Sequence, residues 1–256
     1  MQKVKPKKAL GQHFLTDMSV AQRIAATIDN YRSIPTLEVG PGMGVLTQFL
    51  LEKDPKVTVA EIDTESVVWL KEHFKDLHII EGDFLKLDLA ETMGNEPFTV
   101  IGNYPYNISS QIFFKVLDYK DLIPCCSGML QREVAERLAA EPGTKARGIL
   151  SVLLQAWYDV RYLFTVSEHV FNPPPKVKSG VIIMERNQRT NLGVDEKLFK
   201  NVVKTTFGQR RKTIRNSIRS ICPDFPVEHP LAGKRPEQLS VDDFISLTAT
   251  VQSKQC

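Results

Sequence analysis

Apolar positions along the chain recur with two periods that take turns. β-rich runs fall at residues 37–39, 56–62, 77–81, 98–102 and 127–131, and stretches of helical spacing lie between them, predicting helices over 64–74 and 109–118. Ahead of these, Asp17 is placed to cap a helix whose apolar positions are Val20, Ile24 and Ile28. Strands alternating with helices in this way predict an α/β fold built on a doubly wound, mostly parallel sheet. A further strand is expected from Gly180 to Met184. The polar, turn-forming stretch Asn187 to Gly193 (NQRTNLG) then reads as a linker. Beyond it only helical spacing remains, with Leu198, Val202, Val203 and Phe207 followed by Ile214, Ile218 and Ile221. The expected division is therefore residues 1–187 and a small all-α domain, 188–256.

Ligands of doubly wound sheets bind at the carboxyl ends of strands, so polar residues there carry the functional reading. In TLEVGPGMGVLT, residues 36–47, a strand pattern drives into Gly40, Gly42 and Gly44 and is followed by helical spacing. Glycine admits dihedrals that a Cβ forbids and lets a ligand lie against the main chain, while amides opening a following helix face it. The pattern G-x-G-x-G is a weak nucleotide signal by itself. It gains weight because Glu61 ends the next strand 21 residues after Gly40, where an acidic residue can hold both hydroxyls of a ribose. Asp63, two residues on, reads as the cap of the helix beginning at Thr64. At the following strand end, Glu81-Gly82-Asp83-Phe84 offers a carboxylate for an adenine amine and, with Ile62, an apolar surface for the ring; an ordinary Gly-Asp turn would look the same.

The fourth strand end is Asn103-Tyr104-Pro105-Tyr106. An exocyclic amine on a base is a poor nucleophile because its lone pair is spread into the ring, so it needs acceptors for its hydrogens. The Asn103 side-chain oxygen and the Tyr104 carbonyl can be those acceptors, with Pro105 fixing the main chain and Tyr106 presenting a stacking face. A proline turn with a buried tyrosine is the alternative. It is outweighed once Gly40, Glu61 and Asp83 stand on neighbouring strands.

Composition narrows the classes. The chain has 256 residues, 42% hydrophobic and 25% charged, enough for one sizeable core and a small second domain. No apolar run approaches the roughly 18 residues of a membrane span, and no apolar segment follows the lysine-rich start as in a secretory signal. Four cysteines, Cys125, Cys126, Cys222 and Cys256, form neither a metal-binding spacing nor a disulfide framework and fit a reducing cytoplasm. The net charge of +3 is uneven: residues 1–8 hold four lysines and no acid, residues 188–256 hold 12 basic and 7 acidic side chains, and residues 9–187 hold 17 and 23. Positive ends suggest an acidic partner such as nucleic acid. From Lys204 to Arg219 there are six basic residues and no acid. On one helix, Arg211, Arg215 and Arg219 would line a phosphate-gripping face.

These motifs in this order resemble the adenine-N6 methyltransferases and, more closely, the bacterial KsgA/RsmA family of small-subunit (16S) ribosomal RNA adenine-N6,N6-dimethyltransferases. KKALGQHFL at 7–15, LEVGPGMGVLT, AEID at 60–63, GDFL at 82–85 and IGNYPYNIS at 101–109 carry the resemblance. So do MLQREVAERL at 129–138, GILSVLLQ at 148–155, FNPPPKVKSGV at 171–181 and FGQRRKTIRNSI at 207–218. It implies a Rossmann-like class I methyltransferase domain, S-adenosyl-L-methionine as cofactor, no metal, and a monomer acting on 16S rRNA of the immature small subunit. It places cofactor contacts on His13, Leu15, Gly40, Glu61, Asp83 and Asn103, and the target base at Asn103 to Tyr106. It also sets the loop Phe171 to Lys176 beside the active site, where a polyproline ligand for another protein would be the alternative. Three positions depart from the family pattern: His13 where Asn is frequent, Tyr104 where Leu or Ile is usual, and Arg147 where Tyr is common. A large-subunit methyltransferase of the macrolide-resistance type shares the first domain, but the FGQRRKTIRNSI segment argues against it. A non-catalytic ribosome-assembly factor is disfavoured by the intact Asn103-Tyr104-Pro105-Tyr106.

Overall fold

A computed structural model describes residues 4–53 and 56–254. Lys3 of the basic arm and Cys256 lie outside them. In chain order the strands and α-helices are β1 (Phe14–Leu15), α1 (Met18–Ala25), β2 (Thr36–Val39), α2 (Thr47–Leu51), β3 (Val57–Glu61), α3 (Thr64–His73), β4 (His78–Glu81), α4 (Leu89–Thr92), β5 (Thr99–Asn103) and α5 (Ser109–Asp118). They continue with β6 (Cys125–Gln131), α6 (Arg132–Leu138), α7 (Ile149–Gln155), β7 (Tyr158–Val166), β8 (Phe171–Asn172), β9 (Ser179–Arg186), α8 (Glu196–Gly208), α9 (Ile214–Ser217) and α10 (Val241–Lys254). The strands and helices expected between residues 56 and 131 all form, with ends displaced by no more than two residues.

Seven strands make one sheet in the order β4-β3-β2-β5-β6-β9-β7. Pairings from β4 to β6 are parallel, and β9 joins β6 antiparallel. The sheet winds outward from β2 through β3 to β4, then returns to β5 on the other side of β2. That reversal is the switch point at which such sheets leave a crevice. Strand β2 is buried throughout because it lies at the sheet centre, and α1 packs Val20, Ala21, Ile24 and Ala25 into a core with Val59 of β3 and Ile101 of β5. Each large apolar side chain buried there contributes about 1.5–3 kcal/mol. Asp17 caps α1, accepting from the Ser19 and Val20 amides at 2.9 and 3.2 Å. Cys125, Cys126 and Cys222 are free thiols buried as small apolar residues.

The chain forms two compact units, residues 1–135 with 160–186 and residues 136–159 with 187–256. Residues 136–159 thus go with the C-terminal helices, where a single division near residue 187 was expected. Arg147 accounts for this. Its side chain is fully buried and donates to the Ala140 carbonyl at 2.7 Å, Gln155 Oε1 at 2.6 Å and the Leu239 carbonyl at 3.2 Å, tying α7 and the loop before it to the C-terminal segment. The expected basic helix face also differs. Helix α8 ends at Gly208, and α9 is a separate short helix starting after Thr213, which is extended at φ −69° and ψ 158°. Arg211 therefore sits in the intervening turn and Arg219 beyond α9.

Candidate active site

The carboxyl ends of β2, β3, β4 and β5 surround one cleft of about 210 Å³. All nine residues singled out from the sequence line it: His13, Leu15, Gly40, Glu61, Asp83, Asn103, Tyr104, Pro105 and Tyr106.

The floor is the turn after β2. Gly40 and Gly42 have φ of +67° and +57°, the left-handed region that L side chains avoid. A Cβ on Gly42 would stand 3.0 Å from the Phe14 ring, so the turn is closed by close packing from β1. The glycine amides of this turn are already engaged. Gly42 N–H donates to Glu61 Oε2 at 3.0 Å and Gly44 N–H to the Pro41 carbonyl at 2.9 Å, while α2 begins only at Thr47. The glycines thus supply shape, leaving the amides that open the following helix as those expected to face a ligand.

Glu61 is 4% exposed, and its other oxygen accepts from the Asp63 amide at 2.9 Å. Burial raises its pKa against the lowering effect of these hydrogen bonds. Each oxygen keeps a second lone pair for a ligand hydroxyl. Asp83 accepts from the Leu85 amide at 3.0 Å, so it does close the ordinary turn, and its carboxylate also borders the cleft. Of the two apolar candidates for an adenine ring, Phe84 is 4% exposed and Ile62 is 51% exposed, which makes Ile62 the open surface. Deeper in, Glu38 is fully buried, accepts from Thr47 Oγ1 at 2.7 Å, and has its pKa pushed up to about 8 by burial.

At the tip of β5 the Asn103 amide nitrogen donates to the His13 carbonyl at 3.2 Å, which leaves Oδ1 as an acceptor. Tyr104 contributes only its backbone to the cleft. Its ring is 1% exposed, stands edge-on to Phe113, and donates its hydroxyl to the Ser127 carbonyl at 2.6 Å, beside Cys126 Sγ at 3.3 Å. The space for that ring exists because Gly102 and Gly128 pair across β5 and β6. The Pro105 ring lies over Gly40, 3.9 Å from where a Cβ would be. The Tyr106 hydroxyl hydrogen-bonds Ser179 Oγ at 2.5 Å, and its ring stacks with His13 at 5.5 Å and 29°. His13 Nδ1 donates to the Pro173 carbonyl at 2.8 Å, which draws the loop after β8 to the cleft. The FNPPPK stretch thereby backs His13 without itself lining the cleft. Sequence reasoning missed Ser179, Glu38 and Ile108 as cleft or supporting residues, since each reads as an ordinary core or strand position.

Strand order, a glycine turn at the switch point and acidic residues at successive strand tips define a Rossmann-like methyltransferase. A family model described as Ribosomal RNA adenine dimethylase matches residues 3–251. The chain belongs to this family. Its relatives include the Ribosomal RNA small subunit methyltransferase A of Parabacteroides distasonis, 66% identical over 98% of this chain and 96% of that one. The protein of the same name from Cytophaga hutchinsonii is 54% identical over 99% of this chain and 100% of that one. Among solved structures, a dimethyladenosine transferase from Plasmodium falciparum superposes with a TM-score of 0.77 at 24% identity, covering 95% and 98% of the two chains. The 23S rRNA methyltransferase ErmE does so with 0.75 at 25% identity, covering 93% and 99%.

Proposed function

We propose that this chain is an S-adenosyl-L-methionine-dependent methyltransferase that converts two adjacent adenosines in the 3′-terminal hairpin loop of 16S rRNA to N6,N6-dimethyladenosine during small-subunit assembly. The observation that carries the reading is the gathering of Gly40, Glu61, Asp83 and Asn103–Tyr106 around one cleft. Identity of 66% to a small-subunit methyltransferase, against 25% to a large-subunit one, favours the small-subunit substrate over the large.

The residues fit the cofactor. Glu61 has free lone pairs for two ribose hydroxyls, Asp83 can accept from the adenine amine, Ile62 offers an exposed apolar face, and the main chain at Gly40 is bare. When bound, S-adenosylmethionine supplies the methyl group. The chain's part is to position the target. Asn103 Oδ1 and the Tyr104 carbonyl accept the two N6 hydrogens and turn the nitrogen lone pair out of the ring, and Tyr106 holds a base swung out of its stack. No side chain is required as a strong base. Arg211, Lys212 and Arg219 are exposed and form no ion pair among the described residues, which suits contacts to RNA phosphates. No described helix is long and apolar enough to cross a membrane. We assign the protein to the cytoplasm, acting as a monomer on the immature subunit.

The test is transfer of labelled methyl groups to undermethylated small and large ribosomal subunits, followed by nucleoside analysis. The expected product is N6,N6-dimethyladenosine in the small subunit alone. Label confined to the large subunit would overturn the assignment.

A further inference from the structure

Six consecutive residues, Leu10 to Leu15, form one side of the cleft. Their downstream end is anchored by burial: Phe14 and Leu15 are core residues, and β1 pairs antiparallel with β8. The upstream end is held differently. Upstream, Val4 is buried, but between it and Phe14 no described side chain from Lys5 to His13 is, so this nine-residue stretch has no apolar anchor within it. It is tied instead to Asp63, the residue just beyond the tip of β3. The Asp63 side chain is fully enclosed. Its Oδ1 receives the Lys7 ammonium and the Glu65 amide, the latter at 3.2 Å. Its Oδ2 receives the Gln12 amide nitrogen at 3.0 Å and the Ser66 hydroxyl at 3.2 Å. Gln12 in turn accepts from the Lys7 backbone amide at 2.8 Å, and the Lys7 ammonium also reaches Glu65 at 3.1 Å. Asp63 thus does more than cap α3. Its backbone amide donates to Glu61 Oε1, so one residue holds the cleft wall through its side chain and the acidic strand tip through its main chain.

We propose that Asp63 is a positioning residue which, with Lys7 and Gln12, latches the N-terminal segment over the cofactor cleft and sets the rate at which spent cofactor leaves. The inference rests on the reading of the cleft as the S-adenosylmethionine site. Dimethylating two adenosines takes four transfers, each needing a fresh cofactor, so one wall must open and close repeatedly. A segment held by polar contacts opens at lower cost than one held by core burial. The latch is the polar end of that wall. Neither Asp63 nor Lys7 lines the cleft, so removing the latch leaves the reacting geometry in place.

Lys7→Met removes the cation without touching the α3 cap, and Asp63→Asn keeps an acceptor for the Glu65 amide while removing the charge. Stopped-flow release of S-adenosylhomocysteine should accelerate about fivefold in both, the scale of one lost, partly exposed ion pair. Single-turnover methyl transfer at saturating S-adenosylmethionine should stay within about twofold of wild type, and Lys7→Arg should restore slow release. A folded Lys7→Met protein that releases product at the wild-type rate overturns the latch. So does loss of single-turnover transfer in step with faster release, which would mean that the segment merely supports the fold. Failure of wild type to bind either form of the cofactor would instead overturn the reading of the cleft, and the latch with it.

Discussion

The cleft and the basic stretch Lys204 to Arg219 are the two places where this chain concentrates unusual residues, and they deliver their side chains by opposite means. In the cleft Gly40, Glu61, Asp83 and Asn103 to Tyr106 sit at or just past strand tips, so parallel pairing sets their places: Val39 lies beside Ala60 and Glu61 beside Glu81. In the basic stretch the backbone changes state at Gly208 and again at Thr213, and Arg211, Arg215 and Arg219 fall on a turn, a short helix and its exit. Arg210 is drawn into structure altogether, donating to the Lys145 carbonyl at 2.5 Å. A site built on register tolerates local irregularity, whereas a helix face exists only while the helix is continuous.

The sharpest way to break this comparison is at Asn103. If strand-tip placement is what makes the cleft chemical, Asn103→Ala should reduce methyl transfer by about 100-fold or more, on the scale of losing a group that acts only at the reacting atoms, while RNA affinity stays near wild type. Near-normal dimethyladenosine yield would refute the role. Next in size is Glu61→Ala, which removes the acceptor expected for the ribose. The loss should be about 1.5–3 kcal/mol, or roughly 10- to 150-fold in Kd for S-adenosylmethionine. Calorimetry would measure it, with circular dichroism as the control for folding, and an unchanged Kd would remove Glu61 from the site.

The other side of the comparison is tested by salt. Replacing Arg211, Arg215 and Arg219 by Gln should flatten the slope of log affinity for RNA against log salt by about 2, at roughly 0.7 per phosphate for single strands. Cofactor affinity should not change. Parallel lines for wild type and variant would mean that a broken helix cannot serve as the grip.

The smallest effect is a pH dependence inside the cleft. Burial holds Glu38 protonated up to about 8, whereas in the unfolded chain it ionises near its ordinary value of 4.5. Between those values the folded state binds a proton that the unfolded state has lost, so this group's contribution to stability falls as pH rises through that window and is level above it. Thermal melts at pH 5, 6.5 and 8 should show Glu38→Gln gaining on wild type as pH increases. A pH-independent difference would show that Glu38 is not held neutral. Glu61 shifts in the same direction and leaves a residual slope in both proteins.

How much of this could be seen beforehand follows from the same contrast. Gly40, Glu61, Asp83 and Asn103 were legible because a positive-φ turn and strand ends leave local marks in sequence. The latch was not: Asp63 reads as a helix cap, which it is, and nothing near it announces that Lys7 and Gln12, more than fifty positions away, complete its shell. The membership of residues 136–159 was hidden for a similar reason, since Arg147 finds one of its carbonyl partners at Leu239. Tyr104 was placed in the site by motif, but whether its ring faces ligand or core depends on the neighbouring strand. The basic segment failed locally, because apolar spacing at Ile214 and Ile218 continues across a break that the spacing cannot register.

The glycine pair beneath Tyr104 constrains which sequences can reach this site by single steps. A Cβ at Gly128 would lie 2.2 Å from the Gly102 carbonyl oxygen, and one at Gly102 would lie 2.6 Å from that of Val39, whatever residue occupies position 104. Backbone, not the ring, forbids both changes. The ring is the replaceable partner: Leu or Ile could fill part of its volume, leaving the Ser127 carbonyl without its hydroxyl donor. Drift at this strand tip is therefore one-sided. The residue at 104 can be exchanged at a cost in stability, while neither Gly102 nor Gly128 accepts a side chain on this backbone unless the main chain around it shifts.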